Sequence, residues 1–337
     1  SMHMVRRLIV TILIVGALVL TTAFVFSERG EVSESRAYGE LSRSYPPIVV
    51  EPRTQSLPGY RELRALAAAY PERITEIELR DGEWAVRMDE TWYYWAQGRL
   101  LPIELRDRAA DFVSLRFYRY QPGPLRQREI NEELAVRLRD RTASRSGGET
   151  DTRVRFNSFL DNLYEISSER EADILVRPIT FLGYRTRVHP MIIEPLRRVE
   201  ATVRSAMERE PEVRAFVGDL HSVHGYNWRN IAGTLRRSYH SYGVAVDFVP
   251  RSYGGKWPYW LWAAEGGVSE WWEVPLEERW QVPLRIIEAF EAEGFIWGGK
   301  WLSFDNLHFE YRPESLLLTQ WRDSSLRPSD TRRSLSP

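Results

Sequence analysis

The chain contains six histidines and no cysteine, so a transition metal bound to it must be held by His, Asp or Glu. The missing thiol also excludes disulfides, a Cys nucleophile and a lipid anchor on an N-terminal Cys. Two histidines stand in segments with suitable company. The first segment is Ser238-Tyr239-His240-Ser241-Tyr242-Gly243-Val244-Ala245-Val246-Asp247-Phe248. Alternation in an extended chain puts Val244, Val246 and Phe248 on one face and Ala245, Asp247 and Val249 on the other. Gly243 allows a turn that brings the His240 imidazole back toward the Asp247 carboxylate. The second segment is Trp297-Gly298-Gly299-Lys300-Trp301-Leu302-Ser303-Phe304-Asp305-Asn306-Leu307-His308-Phe309-Glu310. Its last residues alternate as well, with Leu307, Phe309 and Tyr311 facing one way and His308 and Glu310 the other. His240, Asp247 and His308 make a tetrahedral zinc site for one ion, in which three protein ligands leave a fourth position for water. That arrangement suits catalysis better than scaffolding.

These residues resemble the zinc peptidases that cut peptidoglycan stem peptides. That group includes D-alanyl-D-alanine carboxypeptidases and dipeptidases of the vancomycin-resistance type, and the L-alanyl-D-glutamate endopeptidases. Its signature, Ser-x-His-x-x-Gly-x-Ala-x-Asp followed by acid-x-x-His, is matched by Ser238 to Asp247 and by Asp305 to His308. The resemblance covers roughly residues 180 to 315, and the Trp-Gly-Gly-x-Trp run before Asp305 is most like the endopeptidase branch. It implies that His240, Asp247 and His308 hold the metal and that Asp305 is the general base, with Glu310 as the rival base or a support for His308. An arginine upstream of the first histidine serves the family as an oxyanion or carboxylate partner. Arg229 in Gly225-Tyr226-Asn227-Trp228-Arg229 fills that place, with Arg185 a second match further upstream. Ser238, Tyr242 and Trp301 are further candidates for supporting the ligands or facing the substrate. Lys300 and Leu307 depart from the pattern, which commonly has an acid and a proline there. A reading from another class is a non-catalytic zinc-containing binding protein of the envelope, because the Hedgehog signalling domain resembles the same fold.

The site requires two strands brought side by side, and nothing between them forms a repeated strand-helix alternation. The expected fold is therefore α+β, a small antiparallel sheet with flanking helices. Residues 151–322 form the expected peptidase domain, with helices over Phe156–Glu169, Pro190–Met207 and Pro283–Glu293, the last stopped by Gly294. Residues 61–150 read as a smaller α/β accessory region, with a helix from Arg61 to Tyr70 and a hairpin of Glu83–Met88 and Thr91–Leu101 joined at Asp89-Glu90. The aromatics Trp92 to Trp95 read as packing. Arg141–Thr152, rich in Ser, Gly and Thr, reads as the boundary between the two. His221 and His224 lie on an extended run, so a metal role for them is disfavoured, and His189 before Pro190 reads as a helix start. Arg236 and Arg237 read as solvated surface. The tryptophans between Trp257 and Trp280 read as core under a long connection or as a wall of the cleft.

Leu8 to Phe26 is a run of 19 uncharged residues after Arg6 and Arg7, long enough to span a bilayer. It is expected to anchor the chain in the cytoplasmic membrane by a single pass, with residues 1–7 inside and the rest extracytoplasmic. A cleaved signal peptide is the alternative. Residues 27–60 read as a tether and 323–337 as a disordered tail. With 47 acidic against 46 basic residues, no global field attracts nucleic acid. The expected partners are peptidoglycan stem peptides and the membrane.

Overall fold

The computed structural model describes residues 56–326. The apolar run Leu8 to Phe26, the polar stretch after it and the last eleven residues, 327–337, lie outside the described residues. Among the described residues no helix is long and apolar enough to cross a membrane.

Helix α1 (Tyr60–Ala69) opens the described chain and buries Leu63 and Leu66. Strands β1 (Glu76–Arg80), β2 (Glu83–Met88), β3 (Thr91–Ala96) and β4 (Arg99–Leu101) then form a four-stranded antiparallel meander. The expected hairpin is its middle pair. What it lacked was β1 and the two-residue turns Asp81-Gly82 and Gln97-Gly98. All four turn residues have positive φ, the backbone that two-residue hairpin turns require. Tyr93 and Tyr94 are buried in this meander, in agreement with a packing role. Strand β5 (Phe112–Val113) pairs in parallel with β6 (Val154–Arg155).

Between β5 and β6 runs helix α2 (Glu132–Ser146), whose first turn is capped by the Asn131 side chain accepting from Leu134 N–H. Arg141 to Ser146 is thus helical and only the end of the expected boundary, from Gly147, leaves the helix. Arg, Thr, Ala and Ser all tolerate a helix interior, and composition alone mistook that last stretch for a loop. The single helix expected over Phe156–Glu169 is two, α3 (Ser158–Tyr164) and α4 (Glu169–Leu175). Glu165 closes α3 with φ of 56°, and Ser168 caps α4 by accepting from Glu171 N–H, the local competition by which serine breaks helices.

Strands β7 (Arg177–Phe181) and β8 (Tyr184–Val188) make a hairpin. His189 then starts the 3₁₀ turn Pro190–Ile192, its ring accepting from Met191 N–H, and α5 (Ile193–Arg209) and α6 (Pro211–Gly218) follow. The site rests on the antiparallel sheet β11-β12-β10-β9, made of β9 (Leu220–His224), β10 (Ala245–Pro250), β11 (Phe295–Trp297) and β12 (His308–Tyr311). Helices α7 (Trp260–Glu265) and α8 (Leu284–Ala292) lie between β10 and β11, and α9 (Pro313–Leu326) follows β12, extending into the expected tail. The mixed α+β class and the small antiparallel sheets agree with the expectation.

One face of this sheet is core. Phe248 of β10 and Phe309 of β12 meet Phe290 of α8, with Phe290 and Phe309 stacked at 4.0 Å between ring centroids. Aromatics of that size contribute roughly 3–5 kcal/mol each when a core holds them. In the insert after β10, Trp260, Trp271 and Trp272 are buried with Phe304 and with Ala135 and Leu138 of α2. These rings are core, whereas Trp262 of the same insert is exposed.

Candidate metal centre

The opposite face of the sheet carries the polar row. In the antiparallel register Asp247 lies opposite His308 on one side and opposite His224 on the other, and directly opposed residues share a face. His240 reaches this row from a 3₁₀ turn, Tyr239–Tyr242. Ser238 caps the turn, its hydroxyl accepting from His240 N–H at 3.3 Å. Gly243 ends it at φ of 68°, and a Cβ there would lie 2.7 Å from the backbone nitrogen of His189. Only glycine meets both the backbone sign and that close approach.

The convergent atoms are His240 Nε2, the Asp247 carboxylate and His308 Nδ1. Their separations are 3.1 Å from His240 to Asp247, 2.9 Å from His308 to Asp247 and 3.2 Å between the two imidazole nitrogens. Ligands placed about 2.0–2.2 Å from a tetrahedral ion stand roughly 3.3 Å apart, so the spacing suits one cation. The far nitrogens are also committed. His240 Nδ1 lies 2.6 Å from the Gly225 carbonyl, and His308 Nε2 lies 3.0 Å from Glu310 Oε2. Both acceptors require an N–H, which turns the remaining lone pair of each neutral ring toward the other ring. Two lone pairs at 3.2 Å repel unless a positive charge stands between them, and a proton or a metal ion supplies that charge.

The electrostatics agree. Burial opposes ionisation of Asp247, yet His240 and His308 outweigh it and hold the carboxyl well below its ordinary value. Burial likewise opposes a charged His308, but Asp247 and Glu310 raise it to about 10, so the site favours positive charge. Glu310 is buried and held below its ordinary value because His308 and Arg312 overcome desolvation. Its carboxylate accepts from Arg312 Nη1 at 3.0 Å as well as from His308.

Asp305 sits on the turn into β12, where its N–H donates to the Gly298 carbonyl at 3.0 Å and its own carbonyl accepts from His308 N–H at 3.3 Å. A Cβ on Gly298 would approach the Asp305 carbonyl oxygen to 2.6 Å, so the Trp-Gly-Gly run lets two backbones touch. Burial pushes the Asp305 carboxyl up to about 6, against the lowering influence of His308, and Asp247 raises it further.

The remaining candidates divide. Trp301 lies beside the ligands, its ring 5.3 Å from His308 and stacked on Tyr118 at 5.2 Å. Its indole N–H is buried with no hydrogen-bond partner. Tyr242 is fully buried and its hydroxyl donates to Asp161 at 2.7 Å, a structural engagement rather than one facing the metal row. Arg229 is exposed; its backbone N–H is fixed by Ser241 Oγ at 2.9 Å, and its charge reaches Tyr259, which bridges to Asp305 through the backbone. Arg185 is exposed on the β7-β8 hairpin. Arg236 and Arg237 are not solvated surface: they pair with Asp151 and Asp161, and Arg237 lies over the Trp228 ring at 4.5 Å. Two acids far upstream in sequence claim them, which no local reading reveals. His221 and His224 are on β9; His224 joins the polar row but bonds to Ser222 at 2.9 Å and stays outside the cluster of ligand atoms. Lys300 is buried against Glu291 and donates to the Gln121 carbonyl at 2.8 Å.

Sequence reasoning missed Arg312, Glu314 and Tyr118. Arg312 stands two residues past Glu310, where the same spacing would have pointed to it, whereas Glu314 belongs to the first turn of α9 and strand alternation carries no signal for it.

Residues 232–311 match the sequence profile of a family described as D-alanyl-D-alanine carboxypeptidase. Residues 62–117 match one described only as a domain of unknown function (DUF8518). No solved structure matches the chain. The first match covers His240, Asp247, Asp305 and His308 and supports a metallopeptidase, a hydrolase of a family that is zinc-dependent. The donor set of two imidazoles and one carboxylate fits zinc.

Proposed function

We propose that this chain is a zinc peptidase that hydrolyses amide bonds in peptidoglycan stem peptides, as a D,D-carboxypeptidase or as an endopeptidase of the L-Ala-D-Glu type. The observation that carries the reading is the convergence of His240 Nε2, Asp247 and His308 Nδ1, with Asp305 on the adjoining turn. Zinc in such a site supplies a Lewis acid that polarises the scissile carbonyl and lets water attack near neutral pH. His240 is held by the Gly225 carbonyl and His308 by Glu310, so both rings stay aimed. Asp305 takes the proton of the attacking water and returns it to the leaving amine. A carboxyl raised toward about 6 is suited to that exchange. Arg229 offers a guanidinium to the developing oxyanion or to a substrate carboxylate. Trp301, stacked on Tyr118, packs beside the His308 ring.

A Hedgehog-like binding role needs only the three ligands, whereas the half-buried acid at Asp305 adds what hydrolysis requires. We further propose that the run Leu8 to Phe26 anchors the chain in the cytoplasmic membrane and that the peptidase works on its outer side. Digestion of isolated muropeptides by the zinc-loaded chain, followed by mass spectrometry, tests the assignment. Release of D-alanine, or of stem fragments, that stops on chelation supports it; intact muropeptides under all metal conditions reject it.

A further inference from the structure

From His308 and Glu310 of β12 a line of polar contacts runs on through Arg312, just past the strand, to Glu314 at the start of α9. His308 Nε2 meets Glu310 Oε2 at 3.0 Å, and Glu310 Oε1 accepts from Arg312 Nη1 at 3.0 Å. Arg312 Nε donates to Glu314, whose second oxygen accepts from the Tyr70 hydroxyl at 3.1 Å. Arg312 Nη2 donates to the Arg116 carbonyl at 2.6 Å. The guanidinium also lies between two rings, 5.6 Å from Tyr118 and 5.2 Å from Tyr239, the neighbour of His240. Tyr70, Arg116 and Tyr118 all come from the N-terminal part of the chain.

Every side chain in this line is buried, with 7% of His308, 4% of Glu310, 3% of Arg312, 2% of Glu314 and 4% of Tyr70 exposed. Burying ions costs several kcal/mol each even when they are paired, and apolar residues of similar size hold a domain interface at least as well. Docking alone therefore does not call for this series of charges. It has one end on Tyr70, at the close of α1, and the other on the His308 imidazole. A second, apolar line runs parallel to it, from Tyr118 through Trp301 to the same His308 ring.

We propose that the N-terminal region is a working part of the metal centre, in which Tyr70, Glu314 and Arg312 are positioning residues that set the Glu310 carboxylate and through it the orientation of His308. This assigns a role to the stretch that matches a domain of unknown function, and it rests on the reading that His308 is a metal ligand. Loss of the Tyr70 or Glu314 contact lets Arg312 and Glu310 relax, so the imidazole is presented less well to the ion while all three ligands remain.

The test uses the full chain and measures zinc affinity by competition with a chromophoric chelator, alongside the melting temperature of the zinc-free protein. Partners behind a ligating histidine typically change metal affinity 10- to 100-fold. Glu314→Gln and Tyr70→Phe, which act two and three links behind Glu310, are expected to weaken zinc binding about tenfold. Leu63→Ala, a cavity in the same N-terminal helix, is expected to lower the melting temperature and leave the zinc affinity of the folded protein within about twofold. If Glu314→Gln does not fold, Tyr70→Phe alone decides. Unchanged affinity in Tyr70→Phe, or an equal loss in Leu63→Ala, overturns the positioning role while the metal site stands. A wild-type chain that binds no zinc removes the metal reading itself and the proposal with it.

Discussion

Two carboxylates stand near His308, and the geometry gives them different work. Glu310 binds the ring nitrogen that faces away from Asp247 and is neutralised by Arg312, whereas Asp305 sits on the turn and is raised by burial. Asp305→Asn is expected to keep its zinc while the turnover number falls about 10²-fold or more, with a smaller change in the Michaelis constant. Glu310→Gln is expected to weaken zinc binding by about 10- to 100-fold. Metal analysis and steady-state kinetics on the same two preparations separate these outcomes; a fully active Asp305→Asn beside a dead, zinc-loaded Glu310→Gln exchanges the roles. The three candidate ligands were legible because their spacing and alternation are local, and the structure brings them together. Gly225 as the partner of His240 was not, since the contact is through a backbone carbonyl fifteen residues away, where the side chain carries no signal.

At the scale of elements, the turn before β12 does for Asp305 what the 3₁₀ turn does for His240. Gly298 accepts from Asp305 N–H and leaves no room for a Cβ against its carbonyl. Gly298→Ala is expected to shift Asp305 and lower turnover between about 10- and 100-fold, since a displacement near 1 Å at a reacting group carries that cost. Zinc content should hold, because no ligand belongs to that turn. Retained activity in a folded Gly298→Ala would mean that the turn can yield without moving the acid. Strand alternation around Asp247 and His308 was readable since a buried face and a polar face repeat every two residues. The limits of the helices were less so. Glu165 ended one helix early and Ser168 capped the start of the next, while Ser144 sits inside another, because capping depends on which backbone N–H is free and composition does not record that.

At the scale of the described molecule, the region from residue 60 to Gly123 and the sheet that carries the candidate site are joined by buried polar ties. Lys300 and Glu291 hold the segment around Tyr120 and Gly123, with Tyr120 O–H and Gly123 N–H both donating to Glu291. Burial lowers the Lys300 pKa, and Glu291 partly restores it. Lys300→Met leaves Glu291 without its counter-ion and is expected to cost about 3–5 kcal/mol of stability, seen as a lower melting temperature with catalysis in the surviving folded fraction little changed. A stable variant with altered bond preference would instead point to a part for Lys300 in substrate choice. This association was illegible in the sequence because its partners lie more than 160 residues apart. Everything still depends on one ion held by three side chains, and zinc K-edge X-ray absorption on the purified chain tests that most directly. The account predicts one zinc per chain with two imidazole nitrogens and oxygen ligands at about 2.0–2.2 Å, and loss of tight binding in His240→Ala. A spectrum without imidazole scattering, or undiminished zinc in His240→Ala, would contradict it.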